Sequence, residues 1–142
     1  MQKPAYKVRQ TYLLRLPPGE DLLVGLYRIC REHTIELGVF SVVGSVREAT
    51  LGHLEPESGI TRRQILESAQ DLVACAGNIS RQGDSIAIRA NAVLSDAQGT
   101  LSAGELLAAQ THVAEVLIQE LQGTPLVREP DSETGLYLWP VS

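Results

Sequence analysis

The sequence predicts an α+β fold in which one dominant helix packs on a largely antiparallel β-sheet. About seven or eight segments, Ser85–Ser95 most clearly, are short and apolar or alternate apolar and polar residues, as strands do. One stretch, Glu20–Leu37, repeats apolar residues at helical spacing. Because short turns join several of the strands, most of the pairing is expected to be antiparallel.

The first two elements have clear boundaries in the sequence. A strand over Tyr6–Leu16 is followed by a Pro-Pro-Gly turn, and the helix starts at Glu20-Asp21, where acidic side chains suit the positive end of the helix dipole. Gly38 is expected to cap the helix at its C-terminus. The apolar stripe of this helix contains Leu22, Leu26, Ile29, Cys30, His33 and Leu37.

The segments after the helix are expected to be strands joined by turns. Val39–Gly44 and Val46–Leu54 flank a tight corner at Gly44-Ser45. Thr61–Gln70 also allows a short helix, and we expect a loop or a single turn there. A hairpin turn is expected over Ser95–Gly99. The other expected strands are Leu72–Ala76, Ser85–Ser95, Thr100–Leu106, Val113–Leu121 (whose propensities also allow a helix) and Leu136–Val141.

Length and composition indicate a single domain over residues 1–142. The hydrophobic fraction is 44% and the mean hydropathy is −0.00, values that exclude a disordered chain and a membrane-embedded one. No apolar run reaches the roughly 18 residues of a spanning helix, and the first ten residues lack a signal-peptide core. Cys30 and Cys75 have apolar neighbours and are expected to be buried free thiols, so we expect a cytoplasmic protein.

The charge pattern argues against a typical DNA-binding protein. The net charge is −5, and residues 90–142 contain only Arg128 against seven acidic residues. We therefore expect DNA binding to be weak or absent. The nearest approach to a basic stripe is in the first strand, and it is interpreted as a solvated strand face or an anion-binding patch. Its members are Lys3, Lys7, Arg9 and Arg15.

A series of short motifs follows the order found in one known family. In this order the chain resembles the PPC domain, the plant and prokaryote conserved domain, over nearly its whole length. The resemblance implies an α+β domain assembled as a homotrimer, similar in fold to the zinc enzyme acetolactate decarboxylase. The motifs are Arg15-Leu16, Gly19–Leu22, Cys30, Val43–Ser45, Ala49–Gly52, Gly77–Ser80, Ala92–Asp96, Gly99, Arg128, Asp131 and Thr134–Leu136.

The chain departs from this family at its metal site. Prokaryotic members carry a His-x-His pair on one strand and a Gly-Gly-His after the hairpin, and the three imidazoles can hold a divalent metal. Here the matching positions are Arg89-Ala90-Asn91 and Ala103–Leu106. A guanidinium cannot be a ligand, and Asn91 and Glu105 alone are a poor transition-metal site. No metal or cofactor is therefore expected.

The candidate ligand-binding residues are Arg89, Asn91, Gly104 and Glu105. Three interpretations stay open: a structural Arg89–Glu105 pair that replaces the metal, an Arg89 that binds a small anion, and a relocated metal on Glu105 and His112. The sequence contains no recognisable catalytic motif, which favours a non-catalytic binding module over an enzyme, and the resemblance implies that this module is trimeric. The alternatives are a DNA-binding protein, although the AT-hook of the plant members is missing, and a metal-dependent, lyase-like enzyme.

Overall fold

The structure, a computed structural model, describes residues 4–142. Over that range the sheet is antiparallel except where β4 and β7 run parallel. The α+β class is confirmed in broad terms, but the 11-residue helix is a minor element beside strands of 17 and 22 residues. The elements are β1 (Lys7–Leu16), α1 (Leu22–Glu32), β2 (Gly38–Leu54), β3 (Thr61–Leu66), β4 (Gln70–Gln82), β5 (Ser85–Ser95), β6 (Leu101–Gln122), β7 (Val127–Pro130) and β8 (Tyr137–Leu138).

Two long strands, β2 and β6, organise the sheet. They pair with each other from Gly38↔Glu120 to Gly52↔Glu105. The first half of β2 also pairs with β4, and its second half pairs with β3. The start of β6 pairs with β5, and its end pairs with β1. Because β4 and β5 also pair, the strands β2, β6, β5 and β4 form a closed ring.

The expected break at Gly44-Ser45 is wrong, because β2 continues through it. Gly44 has φ +148°, and a Cβ at this position would lie 1.8 Å from the carbonyl oxygen of Val113. The pairing register of β2 with β4 shifts between Ser41 and Gly44. The residues that suggested a corner therefore make a bulge that bends one strand. Thr100–Leu106 and Val113–Leu121 likewise belong to one strand, β6.

The helix is shorter than expected and Gly38 does not cap it. Asp21 is the N-cap, since its Oδ1 accepts a hydrogen bond from Val24 N at 3.0 Å. The chain leaves the helix at Thr34, which has φ +54°, and Ile35 N donates to Cys30 O at 2.8 Å. Gly38 instead opens β2, where a Cβ would lie 2.6 Å from the carbonyl oxygen of Gln119.

Two other segments differ from the sequence prediction. Residues 61–66 form the strand β3 and not a loop, because the second half of β2 offers them a backbone partner from Ala49↔Leu66 to Leu54↔Thr61. The last expected strand is reduced to Tyr137–Leu138. The hairpin turn before β6 is confirmed: Thr100 N and Gln98 N both donate to Asp96 Oδ1 at 2.9 Å.

The core lies between α1 and the inner face of the curved sheet. Alternation along β5 is confirmed, since Ala90, Ala92 and Leu94 are buried while Asn91 is exposed. Cys30 and Cys75 are buried free thiols, as expected. Across residues 4–142, no helix is long and apolar enough to span a bilayer.

Candidate functional site

Three of the four predicted site residues meet on the outer face of the β5–β6 hairpin. Asn91 lies directly opposite Glu105, and Arg89 is two residues away on the same face. Arg89 Nε lies 3.7 Å from Glu105 Oε1, with side chains 38% and 36% exposed. Gly104 is opposite the buried Ala92, and a Cβ there would point at the His53 ring, 3.0 Å away. Gly104 therefore lies on the other face of the sheet.

A second arginine, Arg128 of β7, completes the cluster. It is only 9% exposed. Its Nη2 donates to Asn78 Oδ1 at 2.8 Å, and its Nη1 donates to the carbonyl oxygen of Tyr137 at 3.2 Å. Its guanidinium carbon lies 5.1 Å from the centroid of the Trp139 ring. These contacts fix the guanidinium in one orientation.

The cluster has an excess of positive charge. Burial lowers the pKa of Arg128, the charge of Arg89 lowers it further, and the carboxylate of Glu105 opposes both effects. Arg128 stays protonated at neutral pH, since a guanidinium in a protein does not lose its proton. Two guanidinium groups therefore share one carboxylate, which leaves a net charge of about +1 at this point of the surface.

Two cavities open beside this cluster, and both are lined by Arg89 and Arg128. One has a volume of about 580 Å³ and continues past Glu105 to Ile88 and Tyr137. The other has a volume of about 520 Å³ and reaches Asn78, Asn91, Trp139 and Pro140. We call this region the arginine cleft; it is defined by Arg89, Glu105, Arg128, Asn78, Asn91 and Trp139.

Arg128 is a residue of the site that was not predicted from the sequence. Two signals pointed to it: Arg128 is the only basic residue of residues 90–142, and it belongs to the motifs that carry the family resemblance. Its partner Asn78 is 50 positions away in the chain. The short parallel pairing of β7 with β4, Arg81↔Val127 and Gln82↔Arg128, brings the two together.

The basic stripe of the first strand is less regular than expected. Lys7, Arg9 and Arg15 are all exposed on β1, and Lys3 lies outside the described residues. The register with β6 shifts between Val8 and Gln10. Such a bulge interrupts the alternation on which a shared face depends. Arg15 is also paired across the strands with an acidic residue, Glu115.

Comparison with known sequences places the chain in a family. The sequence model of the Plants and Prokaryotes Conserved (PCC) domain family matches residues 4–122. The chain belongs to the PCC domain family. The resemblance drawn from the short motifs is thus confirmed, and Arg128 and Trp139 of the arginine cleft lie beyond the matched range.

Solved structures of PCC-type proteins have the same fold. A metal-containing protein of Archaeoglobus fulgidus is 27% identical, with a TM-score of 0.94 over 99% of this chain and 100% of that one. A PPC protein of Pyrococcus horikoshii is 27% identical, with a TM-score of 0.95 over 100% and 99%. A Bacteroides thetaiotaomicron protein, described as a candidate DNA-binding protein, is 20% identical with a TM-score of 0.87 over 96% of each chain, which shows the fold alone.

Two curated relatives are much longer than this PCC domain. Both are called bifunctional protein GlmU and come from Synechococcus strains. The first, from strain JA-2-3B'a(2-13), is 30% identical over 137 residues, which make up 92% of this chain and 20% of the relative. The chain therefore spans about one fifth of the curated relatives that it matches.

The residues of the arginine cleft do not fit a metal. Guanidinium groups at Arg89 and Arg128 are permanently protonated and repel cations. Within residues 4–142, no three His, Cys, Asp or Glu side chains are grouped as metal ligands. His112 lines a different cavity, with Arg47 and Asp71. The donor set of this PCC domain thus differs from the three imidazoles that the family resemblance implies.

Proposed function

We propose that this PCC domain is a non-catalytic, homotrimeric module that binds a small anion in the arginine cleft. The observation that carries the proposal is the pair of guanidinium groups, Arg89 and Arg128, which share a single carboxylate, that of Glu105. Burial and the charge of Arg89 both lower the pKa of Arg128, and an anion between the two guanidinium groups offsets both effects. Planar guanidinium groups also offer two parallel donors to a carboxylate or phosphate.

The two arginines have different tasks in this proposal. Arg128 is buried and held by Asn78 and Tyr137, so it is a preorganised donor. Arg89 is 38% exposed and its contact with Glu105 is long, at 3.7 Å. An arriving anion can therefore take Arg89 from Glu105 at little cost, because exposed ion pairs contribute only about 0–1 kcal/mol.

The experiment is a calorimetric titration with inorganic phosphate at low salt. Wild-type protein should bind phosphate, and Arg89→Gln should weaken the binding at least tenfold. Arg62→Gln is the matched control, because Arg62 is an exposed arginine on β3. Equal affinity in wild type and Arg89→Gln, or no phosphate binding in either, would overturn the proposal.

The trimer part rests on the family resemblance and on an exposed apolar face. A row of cross-strand neighbours runs over three strands on the outer side of the sheet, as Leu13↔Leu117↔Ser41. Leu13 is 80% exposed, and Val43 in the adjoining row is 65% exposed. Exposed apolar surface of this kind marks an interaction site. Val116 and Ile118 of β6 are buried and do not contribute to this face.

Light scattering at micromolar concentration tests the trimer. The wild type should have three times the mass of the 15.4 kDa chain. Val43→Lys should dissociate it, because a charge would be buried at the contact. Val24→Lys is the control, since Val24 is 58% exposed on the helix. A monomeric wild type, or equal dissociation by both variants, would contradict the proposal.

DNA binding is the competing function, and two fold relatives carry that description. Lys7, Arg9 and Arg15 are exposed on β1 and would supply the positive charge for it, but the bulge between Val8 and Gln10 interrupts their shared face. The net charge of −5 opposes the approach of a duplex. We expect no submicromolar affinity at physiological salt in a fluorescence polarisation assay. Submicromolar binding that falls steeply with salt and is lost in Arg9→Gln would favour the DNA function.

A further inference from the structure

We propose that the anion bound in the arginine cleft carries a planar heteroaromatic ring, which packs beside Trp139. This inference rests on the proposed anion-binding function and adds the chemical class of the ligand. It depends on the 520 Å³ cavity, which starts at the two arginines and extends to Trp139 and Pro140. A bare inorganic anion fills only the arginine end of this cavity.

The cavity lies against the outer face of β4 and β5. Ala76 is exposed on this face, whereas Ala90 is buried on the inner face and Gly77 is its cross-strand partner, so Ala90 and Gly77 line the cavity through their backbone. Gly77 allows the two strands to lie this close, since a Cβ would lie 1.9 Å from the carbonyl oxygen of Arg89. A slot between an aromatic ring and strand backbone suits a planar group better than a branched one.

Trp139 is fixed as one wall of the cavity. Its Nε1 donates to Ser80 Oγ at 3.0 Å, and Ser80 is fully buried. The guanidinium carbon of Arg128 lies 5.1 Å from the centroid of the ring. A ring that is already immobilised loses little entropy on binding, and aromatic rings stack well on one another.

Two amides give the cavity polar edges. Asn78 uses its Oδ1 to accept from Arg128, so its NH₂ group remains a donor. Asn91 is exposed and lines the same cavity. Amide groups beside an aromatic wall match the ring nitrogens and exocyclic groups of a heteroaromatic ring, whereas a hydrocarbon ring leaves them without partners. Nucleoside phosphates and heteroaromatic carboxylates share this chemistry.

Trp139 is the only tryptophan of the chain, so its fluorescence reports on this cavity alone. The experiment is a titration of the wild-type protein with four probes: AMP, nicotinate, ribose 5-phosphate and adenosine. AMP or nicotinate should shift the tryptophan emission saturably and bind at least tenfold more tightly than ribose 5-phosphate. The better of the two identifies a nucleoside phosphate or a carboxylate as the source.

Variants distinguish the contribution of the ligand's ring to binding from that of its negative charge. In calorimetry, Trp139→Leu should lower the affinity for the preferred probe at least tenfold more than it lowers the affinity for inorganic phosphate, while Trp139→Phe should retain most of the affinity for the probe. Tyr27→Leu, on the exposed side of the helix, is the control. Circular dichroism checks that each variant is folded.

The outcomes distinguish this inference from the proposed function. If ribose 5-phosphate binds as tightly as AMP and nicotinate, the ligand needs no aromatic ring, and only the anion-binding function stands. If adenosine binds as tightly as AMP and nicotinate does not bind, the negative charge contributes nothing, and the proposed anion-binding function is wrong. Absence of binding by all four probes and by phosphate overturns both.

Discussion

The guanidinium of Arg128 lies over the ring of Trp139, with 5.1 Å between the guanidinium carbon and the ring centroid. Both residues lie beyond residues 4–122, the range that the PCC family model matches. It also places a buried charge beside Arg89, which is half-exposed. The two arginines therefore differ in what their removal should do.

Arg128 is expected to be structural as well as ligand-binding. Arg128→Met removes the hydrogen bonds to Asn78 and Tyr137 and leaves their oxygen atoms without these partners. We expect the free energy of unfolding to fall by about 1–3 kcal/mol. Urea denaturation measures it, and an unchanged midpoint would contradict the prediction.

Arg89 is expected to matter little for stability. Its side chain and that of Glu105 are both more than a third exposed, so water screens the pair. Arg89→Ala should change the free energy of unfolding by less than about 1 kcal/mol. A loss of about 3–5 kcal/mol, typical of a broken buried pair, would instead support the interpretation of Arg89 and Glu105 as a structural replacement for a metal.

Gly77 is expected to tolerate no side chain. In Gly77→Ala the new Cβ would lie 1.9 Å from Arg89 O and 2.6 Å from the Phe40 ring, so β4 and β5 must separate. We expect destabilisation of about 1–3 kcal/mol and weaker anion binding, since Arg89 moves with its strand. Gly59→Ala is the comparison: at φ +72° an alanine is strained by its backbone alone, since no atom lies within 4 Å of the added Cβ, so Gly77→Ala should cost more. Equal effects of the two substitutions would argue against the clash.

Because of the two buried thiols, the free energy of unfolding is expected to fall as pH rises above 9. Burial raises the pKa of Cys30 from 9.0 to about 12, with a smaller contribution from Glu120, and burial raises that of Cys75 from 9.0 to about 11. The folded state holds these protons more tightly, so the stabilisation is complete below pH 9. It is lost as pH rises toward the folded pKa, by at most about 1.4 kcal/mol per pH unit for each thiol.

Urea midpoints at several pH values above 9 measure this slope. The variant Cys30→Ala/Cys75→Ala should lose stability less steeply than the wild type as pH rises, because the other titrating groups are common to both proteins. Parallel slopes would contradict the shifted pKa values.

Zinc is expected to bind only after substitution. Elemental analysis of wild type purified without a chelator should show well below one zinc per chain, since Arg89 and Asn91 stand where a His-x-His pair is typical of the family. The variant Arg89→His/Asn91→His/Glu105→His should bind about one zinc per chain, because the hairpin places these three positions together. Stoichiometric zinc in the wild type would contradict the prediction that these residues bind no metal.

The sequence by itself determined the local part of the site. Alternation along β5 put Arg89 and Asn91 on one face, and the turn at Ser95–Gly99 brought Glu105 opposite Asn91. Both facts depend on a few neighbouring residues, since side chains alternate with a period of two and a hairpin turn sets its own register. The family was also readable, because its motifs follow one another in order along the chain.

The tertiary structure decided the rest of the site. Arg128 meets Asn78 across 50 positions, and β3 exists because the far half of β2 offers it a backbone partner. Gly44 bends a strand that it was expected to end, because a Cβ there would meet Val113 on the neighbouring strand. Periodicity shows which side of a strand a residue faces, whereas the choice of neighbouring strand minimises the free energy of the whole sheet. The positions of Arg128 and Trp139 in the site therefore depend on the packing of β7 and the segment after it against β4.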